Sequence, residues 1–229
     1  MADHGKFVSS GLRPFDEVVH GLRLGDNVVW QVDTLEMYRA MAAPFAAQAL
    51  QDGRSCVYVR FAPHPPLLPL LAGIETVVLD PSPGFDFFTA NVRHLAAARG
   101  RQVFYIFDNL SDLLTSWGDD AQLSGFFQIV CPALFELDTV AYFGLTRGRQ
   151  PDAAVARIRD TTQLLLDVFQ QEGQLFVNPV KAWGRYAPQM FTPHLIDGDR
   201  WLPVLDAGTA AAVAAAARAG HPPAPGQAG

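Results

Sequence analysis

Four runs of this chain are apolar almost without interruption and rich in β-branched or aromatic residues: "NVVWQV", "SCVYVRF", "QVFYIFD" and "DTVAYFGLT". A strand that is apolar along its whole length must be covered on both faces, which points to a parallel sheet between two layers of helix. The segments between the runs supply those helices. After the first run, Leu35, Tyr38, Met41, Ala42, Phe45 and Ala49 recur at helical spacing, with Asp33 or Thr34 placed as the cap and Pro44 expected to kink the middle. "FDFFTANVRHLAAARG" reads as a helix closed by Gly100, "DDAQLSGFFQIVCPALFEL" as mostly helix, and "PDAAVARIRDTT" as a short one. "ETVVLD" adds a strand, and Asp16 in "RPFDEVVHGLRLGD" marks the start of a short helix.

From Gln163 the strand-like runs follow one another without helices: "QLLLDVFQQEG", "QLFVNPVKAWG" and "RYAPQMFTPHLIDGDRWLPV". Antiparallel hairpins on one edge of the sheet explain this, with Gly173 and "DGD" at the turns. The fold class is therefore α/β, a three-layer arrangement with a mostly parallel central sheet, helices on both faces and antiparallel C-terminal edge hairpins. A chain of 229 residues with 49% hydrophobic content sustains one such core. Its expected extent is residues 1–206. Residues 207–229 form an Ala-rich helix whose faces are too uniform to define a packing stripe, then a disordered "HPPAPGQAG" tail.

A formal charge of −6 argues against a nucleic-acid partner, which requires a positive field. Two cysteines, Cys56 and Cys131, each in an apolar run, make neither a disulfide framework nor a zinc site. No apolar run reaches the length of a membrane span, and "MADHGKFVSSGL" lacks the regions of a secretory signal. The expectation is a cytoplasmic protein with no membrane contact.

Ligands of parallel sheets bind beyond the carboxyl ends of the strands, here Gln31 to Glu36, Phe61 to His64, Asp108 to Asp112 and Thr146 to Arg149. A phosphate loop, G-x-x-x-x-G-K-[ST], needs glycines for close backbone approach, a lysine for charge and a hydroxyl for magnesium. Laid on that pattern, the turn reads Gln31, Val32, Asp33, Thr34, Leu35, Glu36, Met37, Tyr38, and no required position matches. Asp33 and Glu36 instead put negative charge at the helix N-terminus.

Asp108 ends the third run and is the one candidate for a magnesium-organising aspartate, although a strand-terminal Asp is also a good turn residue. Arg60, one residue before the end of "SCVYVRF", is a candidate phosphate contact. Lys181 and Arg185 flank Trp183 in the late hairpin, where a cation beside an aromatic suits stacking on a base or a partner. His64, His94 and His194 lack the spacing of metal ligands, Ser111 has no recognisable base, and Cys131 reads as a buried thiol.

The order of these parts resembles the RecA-like ATPases of the KaiC branch. "SSGLRPFDEVVHGLRLGDNVVWQV" is similar to that family's lead into its phosphate loop, and "VFYIFDNLSDL" to its Walker B strand with a following Ser and acidic residue. "ARIRDTTQLLLDVFQQEGQLFVNPVKAWGRYAPQMFTPHLIDG" resembles its closing segment. The resemblance spans nearly the whole chain to about Val204. It implies a nucleotide site, a ring or filament, and a lysine and arginine facing a neighbouring subunit, here Lys181 and Arg185.

The departures weigh against activity: besides the phosphate loop, the glutamate expected after the second strand is replaced by Ala62 and Pro63. The resulting expectation is a degenerate pseudo-ATPase, not an enzyme, that holds no cofactor and acts as a regulatory or protein-binding module, by a protein partner or by self-association. The competing expectation is an ATP-binding protein or ATPase with an atypical site, Asp108 holding magnesium and Arg60, Arg147, Lys181 and Arg185 serving the nucleotide. A further resemblance, of "GLRLGDNVVWQVD" with "YVRFAPHPPLL", is to modules associated with pyruvate phosphate dikinase or phosphoenolpyruvate synthase type proteins.

Overall fold

The computed structural model describes residues 6–68, 72–117 and 119–219. A short ribbon of β1 (Phe7–Val8) and β2 (Leu22–Arg23) brackets α1 (Arg13–Val19) and leads into β3 (Asn27–Val32). The chain continues through α2 (Leu35–Gln51), β4 (Cys56–Arg60), β5 (Ile74–Val78), α3 (Phe85–Arg99) and β6 (Phe104–Asn109). A 3-10 turn at Leu110–Asp112 and the short α4 (Leu113–Trp117) precede α5 (Asp120–Glu136), β7 (Val140–Thr146) and α6 (Asp152–Thr161). Four strands follow without a helix, β8 (Leu164–Gln171), β9 (Gln174–Ala182), β10 (His194–Asp197) and β11 (Arg200–Pro203), before α7 (Ala207–Ala219).

The nine strands β3 to β11 form one sheet in the order β11-β10-β9-β8-β3-β7-β6-β4-β5. The runs that are apolar on both sides occupy its centre. β3 pairs in parallel with β7 and β8, Val29 facing Phe143 on one side and Leu165 on the other. β8 thus belongs to the parallel set on one edge and starts the antiparallel hairpins on the other, where Leu164 pairs with Ala182. This is the mixed sheet expected from the change of pattern at Gln163.

Alternation along the strands divides the core in two. One face, under α1 and α2, buries Trp30, Tyr38, Phe45, Tyr58, Phe104 and Tyr142. Phe45 stacks on Tyr142 at 4.0 Å and on Phe104 at 4.9 Å. The other, under α3 and α5, buries Phe88, Phe107, Phe126, Phe127 and Phe143. The buried residues of α2 are those picked out by helical spacing, with Ala46 added and Leu35 only partly covered.

Three local expectations change. The first helix starts at Arg13, not at Asp16, because Pro14 fits its first turn, while the Asp16 carboxylate reaches back to the Ser9 hydroxyl and the Ser10 amide. α2 continues through Pro44, and the leader packs against that point: a Cβ on Gly11, which has φ of 76°, would sit 2.3 Å from the Pro44 carbonyl oxygen. α7 does have a packing side, since Val213 closes a small cluster with Phe169 and Phe176. The "HPPAPGQAG" tail lies outside the described residues.

Candidate functional site

The carboxyl ends of β3, β4, β6 and β7 lie side by side at one end of the sheet, so the candidate site is the surface they share. At its centre β3 ends on Val32 and α2 begins on Leu35, leaving a turn of only Asp33 and Thr34. Thr34 caps the helix, its hydroxyl accepting from the Met37 amide at 3.3 Å. Asp33 accepts from the Gln170 amide at 2.9 Å and pairs with the Arg147 Nε at 3.1 Å. Arg147 also lies 3.8 Å from Asp167 and 4.9 Å over the Phe169 ring. A phosphate-binding loop holds its backbone amides open around an anion. Here the strand runs on, the helix starts early, and the first-turn Met37 amide is bonded to Thr34.

Tyr38, which falls at the Ser/Thr position of the phosphate-loop pattern, is fully buried. Its hydroxyl donates to the Phe107 carbonyl at 2.9 Å, and its ring lies over Gly144 of β7, where a Cβ would sit 2.7 Å from it. Burial raises its pKa well above 10.0, so it remains a neutral donor. A hydroxyl drawn into the core is not available to a metal at the surface.

Asp108 lies within an irregularity of β6. The register with β7 shifts between Ile106 and Asn109. Its carboxylate is fully buried; one oxygen accepts from the Tyr58 hydroxyl at 2.5 Å, the other from the Phe61 and Ala62 amides at 3.0 and 3.1 Å. Tyr58 in turn accepts from the Leu67 amide at 2.9 Å. Asp108 thus pins the loop after β4 to the end of β6. Magnesium keeps several waters in its coordination shell, and a sealed carboxylate with protein donors on both oxygens does not suit it. Among the described residues no group of three or more His, Cys, Asp or Glu is placed to hold a metal ion. The residues present do not fit a magnesium-nucleotide pair.

Arg60 is near Asp108, its Nε 3.8 Å from the carboxylate, but the guanidinium is turned into the loop and donates to the His64 carbonyl at 2.7 Å. His64 lies 3.7 Å from Asp112 and 3.9 Å from Asp108. Burial raises the Asp112 pKa above 3.8, with His64 and Arg149 pulling it back. Ser111 accepts from the Thr146 amide at 2.8 Å and bonds the Gln150 amide nitrogen at 2.7 Å, a structural role consistent with its lacking a base.

Lys181 and Arg185 lie at the opposite end of the sheet, beside the starts of β3 and β8, and do not meet Asp108 or Arg60 within one subunit. Both cations bond within their own chain. Lys181 donates to the Arg159 and Asp160 carbonyls, and Arg185 donates to the Gly21 carbonyl at 2.5 Å and Asp26 at 2.6 Å. The Arg185–Asp26 pair is buried, 2% and 3% exposed, so the expected outward reach toward a neighbour is not what this conformation presents. Trp183, by contrast, is exposed.

The hydroxyls of Tyr38 and Tyr58 escaped the sequence reading. A tyrosine in an otherwise apolar run needs a partner for its hydroxyl, and that was the available signal.

No family model and no curated protein matches the chain. Among solved structures it is similar to a KaiC-like protein of the hyperthermophilic archaeon Pyrococcus horikoshii, with 15% identity, a TM-score of 0.66, and coverage of 87% of this chain and 99% of that one. At that identity the likeness concerns the fold, and it agrees with the strand order and helical layers described above: the chain has the RecA-like α/β fold of a KaiC-like protein.

Proposed function

We propose that the chain is a RecA-fold module without nucleotide chemistry that acts by binding another protein. The observation that carries this reading is the turn between β3 and α2, reduced to two residues and closed by Thr34 and Asp33. The electrostatics support it. Each of the four helices α2, α3, α5 and α6 has an acid in its first turn: Glu36, Asp86, Asp120 and Asp152. The positive helix ends that serve anions in such folds are met by the protein's own carboxylates. A triphosphate would be repelled there.

Calorimetric titration of the purified protein with millimolar ATP, with and without magnesium, tests this. The expected result is no heat beyond dilution; saturable, magnesium-dependent binding overturns it, and its loss in Asp108→Asn would locate the site. The finer reading, a companion of a phosphoenolpyruvate synthase type enzyme, rests on the resemblance of two short segments. Coexpression with such an enzyme and recovery of a stable complex is its test.

Among the described residues no helix is long and apolar enough to cross a membrane.

A further inference from the structure

The sheet ends on β5, and nothing among the described residues pairs with its outer side. Its inner side is bonded to β4, with the Leu79 amide donating to the Arg60 carbonyl at 2.8 Å. In a parallel ladder the backbone groups of alternate residues point to the same side. Leu79 and Val77 therefore face β4, and Thr76 and Val78 present their amide and carbonyl groups outward. Proteins blunt such edges with lysine, proline, a bulge or a covering segment. β5 contains none of these residues, pairs with β4 without a shift in register, and has Glu75, its one charged residue, tied to Arg99.

The same edge is apolar where it is most open. Val78 is 73% exposed. Beyond it lies a hollow of about 380 Å³, lined by Phe61, Ala62, Val78, Leu79 and Pro81 together with one cation and one anion, Arg60 and Asp80. A bare strand edge next to an apolar hollow has the two components of peptide capture by strand addition: main-chain hydrogen bonds for affinity and a pocket for alternate side chains.

Charge decides which peptide. The Arg60 guanidinium that lines the hollow is already engaged by the His64 carbonyl and the Asp108 carboxylate. Asp80 immediately follows the strand, and the Ser82 amide and hydroxyl hold its carboxyl below 3.8, so it stays ionised. Asp86 stands in the first turn of the helix that follows, and the chain as a whole carries −6. We infer that the β5 edge docks an extended segment of a partner protein in which apolar residues alternate with lysine or arginine. This rests on the protein-binding reading above and specifies where and what the protein binds.

The test is fluorescence anisotropy with two labelled hexapeptides, one alternating valine with lysine and one alternating valine with glutamate. The expected result is saturable binding of the basic peptide, at least tenfold tighter than the acidic one and weakened by salt. Thr76→Pro removes an outward amide and should weaken binding at least tenfold. Proline is tolerated on edge strands, so the thermal midpoint should stay unchanged. Val78→Lys, which adds a like charge to the basic peptide, should act in the same direction and guards against a folding defect in the first variant. Absence of saturable binding, equal binding of both peptides, or binding that persists in both variants overturns the proposal. So does a wild-type dimer in light scattering that dissociates on Thr76→Pro, which would assign the edge to a second copy. The ATP titration is read separately, so failure here leaves the no-nucleotide reading standing, and failure there leaves the edge measurement intact.

Discussion

The two faces of the sheet are built from different aromatics. Under α1 and α2 the large buried side chains include Trp30, Tyr38, Tyr58 and Tyr142, whereas under α3 and α5 they are phenylalanines, with Tyr105 the exception. Two of the three tyrosine hydroxyls on this face converge on one place, Tyr38 on the Phe107 carbonyl and Tyr58 on the Asp108 carboxylate, whereas the Tyr142 hydroxyl is buried without a partner among the described residues. Polar groups thus hold the strand ends on one face, and shape alone fills the other. Removing a side chain should leave a void on the phenylalanine face and unpaired donors on the tyrosine face.

The largest effect should come from the phenylalanine face. Phe126→Ala should lower stability by about 3–5 kcal/mol, measured by urea denaturation, through a cavity among Phe88, Phe107 and Phe127. On the other face, Asp108→Ala should cost about 3 kcal/mol, since the Tyr58 hydroxyl and the Phe61 and Ala62 amides lose their acceptor. A variant that keeps full stability but loses a magnesium-dependent ligand would reverse the contrast and make Asp108 a binding group.

Gly144→Ala should cost about 1–3 kcal/mol because the Tyr38 ring is already at contact. The penalty should shrink in a Tyr38→Leu background, and a double-mutant cycle reads that coupling directly. Thr34→Ala should cost about 1 kcal/mol as a lost cap; an unchanged melting temperature would show that the turn is not held this way.

The smallest effect is a pH dependence. Asp112 binds its proton more tightly folded than unfolded, so between 3.8 and its raised folded value stability should fall as pH rises. Asp112→Asn should flatten that part of the stability profile.

Most of the framework is legible in the sequence because continuous apolar runs and helical spacing are local signals. "FDFFTANVRHLAAARG" becomes α3 ending at Gly100, and "NVVWQV" becomes β3 without loss of a residue. The site is less legible because its decisive contacts join distant positions. Tyr38 bonds a carbonyl 69 residues away, and Asp108 bonds a hydroxyl 50 residues away. The missing glycines and lysine could be read directly, but the two-residue length of the turn could not, since it depends on how far β3 continues beside β7 and β8. Lys181 lies in β9 and Arg185 in the loop after it, and their inward direction follows from Asp26 and the carbonyls of α6, which no spacing rule connects to them.

The buried pair of Arg185 and Asp26 also bears on how the chain is made. Asp26 emerges from the ribosome 159 residues before its cation, and β3, which it introduces, must wait for β7 and then β8 to gain its neighbours. Without Arg185 the buried carboxylate keeps the Arg23 amide as a donor but lacks its ion pair, which is unfavourable, so the centre of the sheet gains less by closing around β3 early. Contacts of such long sequence separation slow folding and leave apolar segments exposed in the meantime. The first central strand thus depends for its buried charge on a cation 159 residues further along the chain.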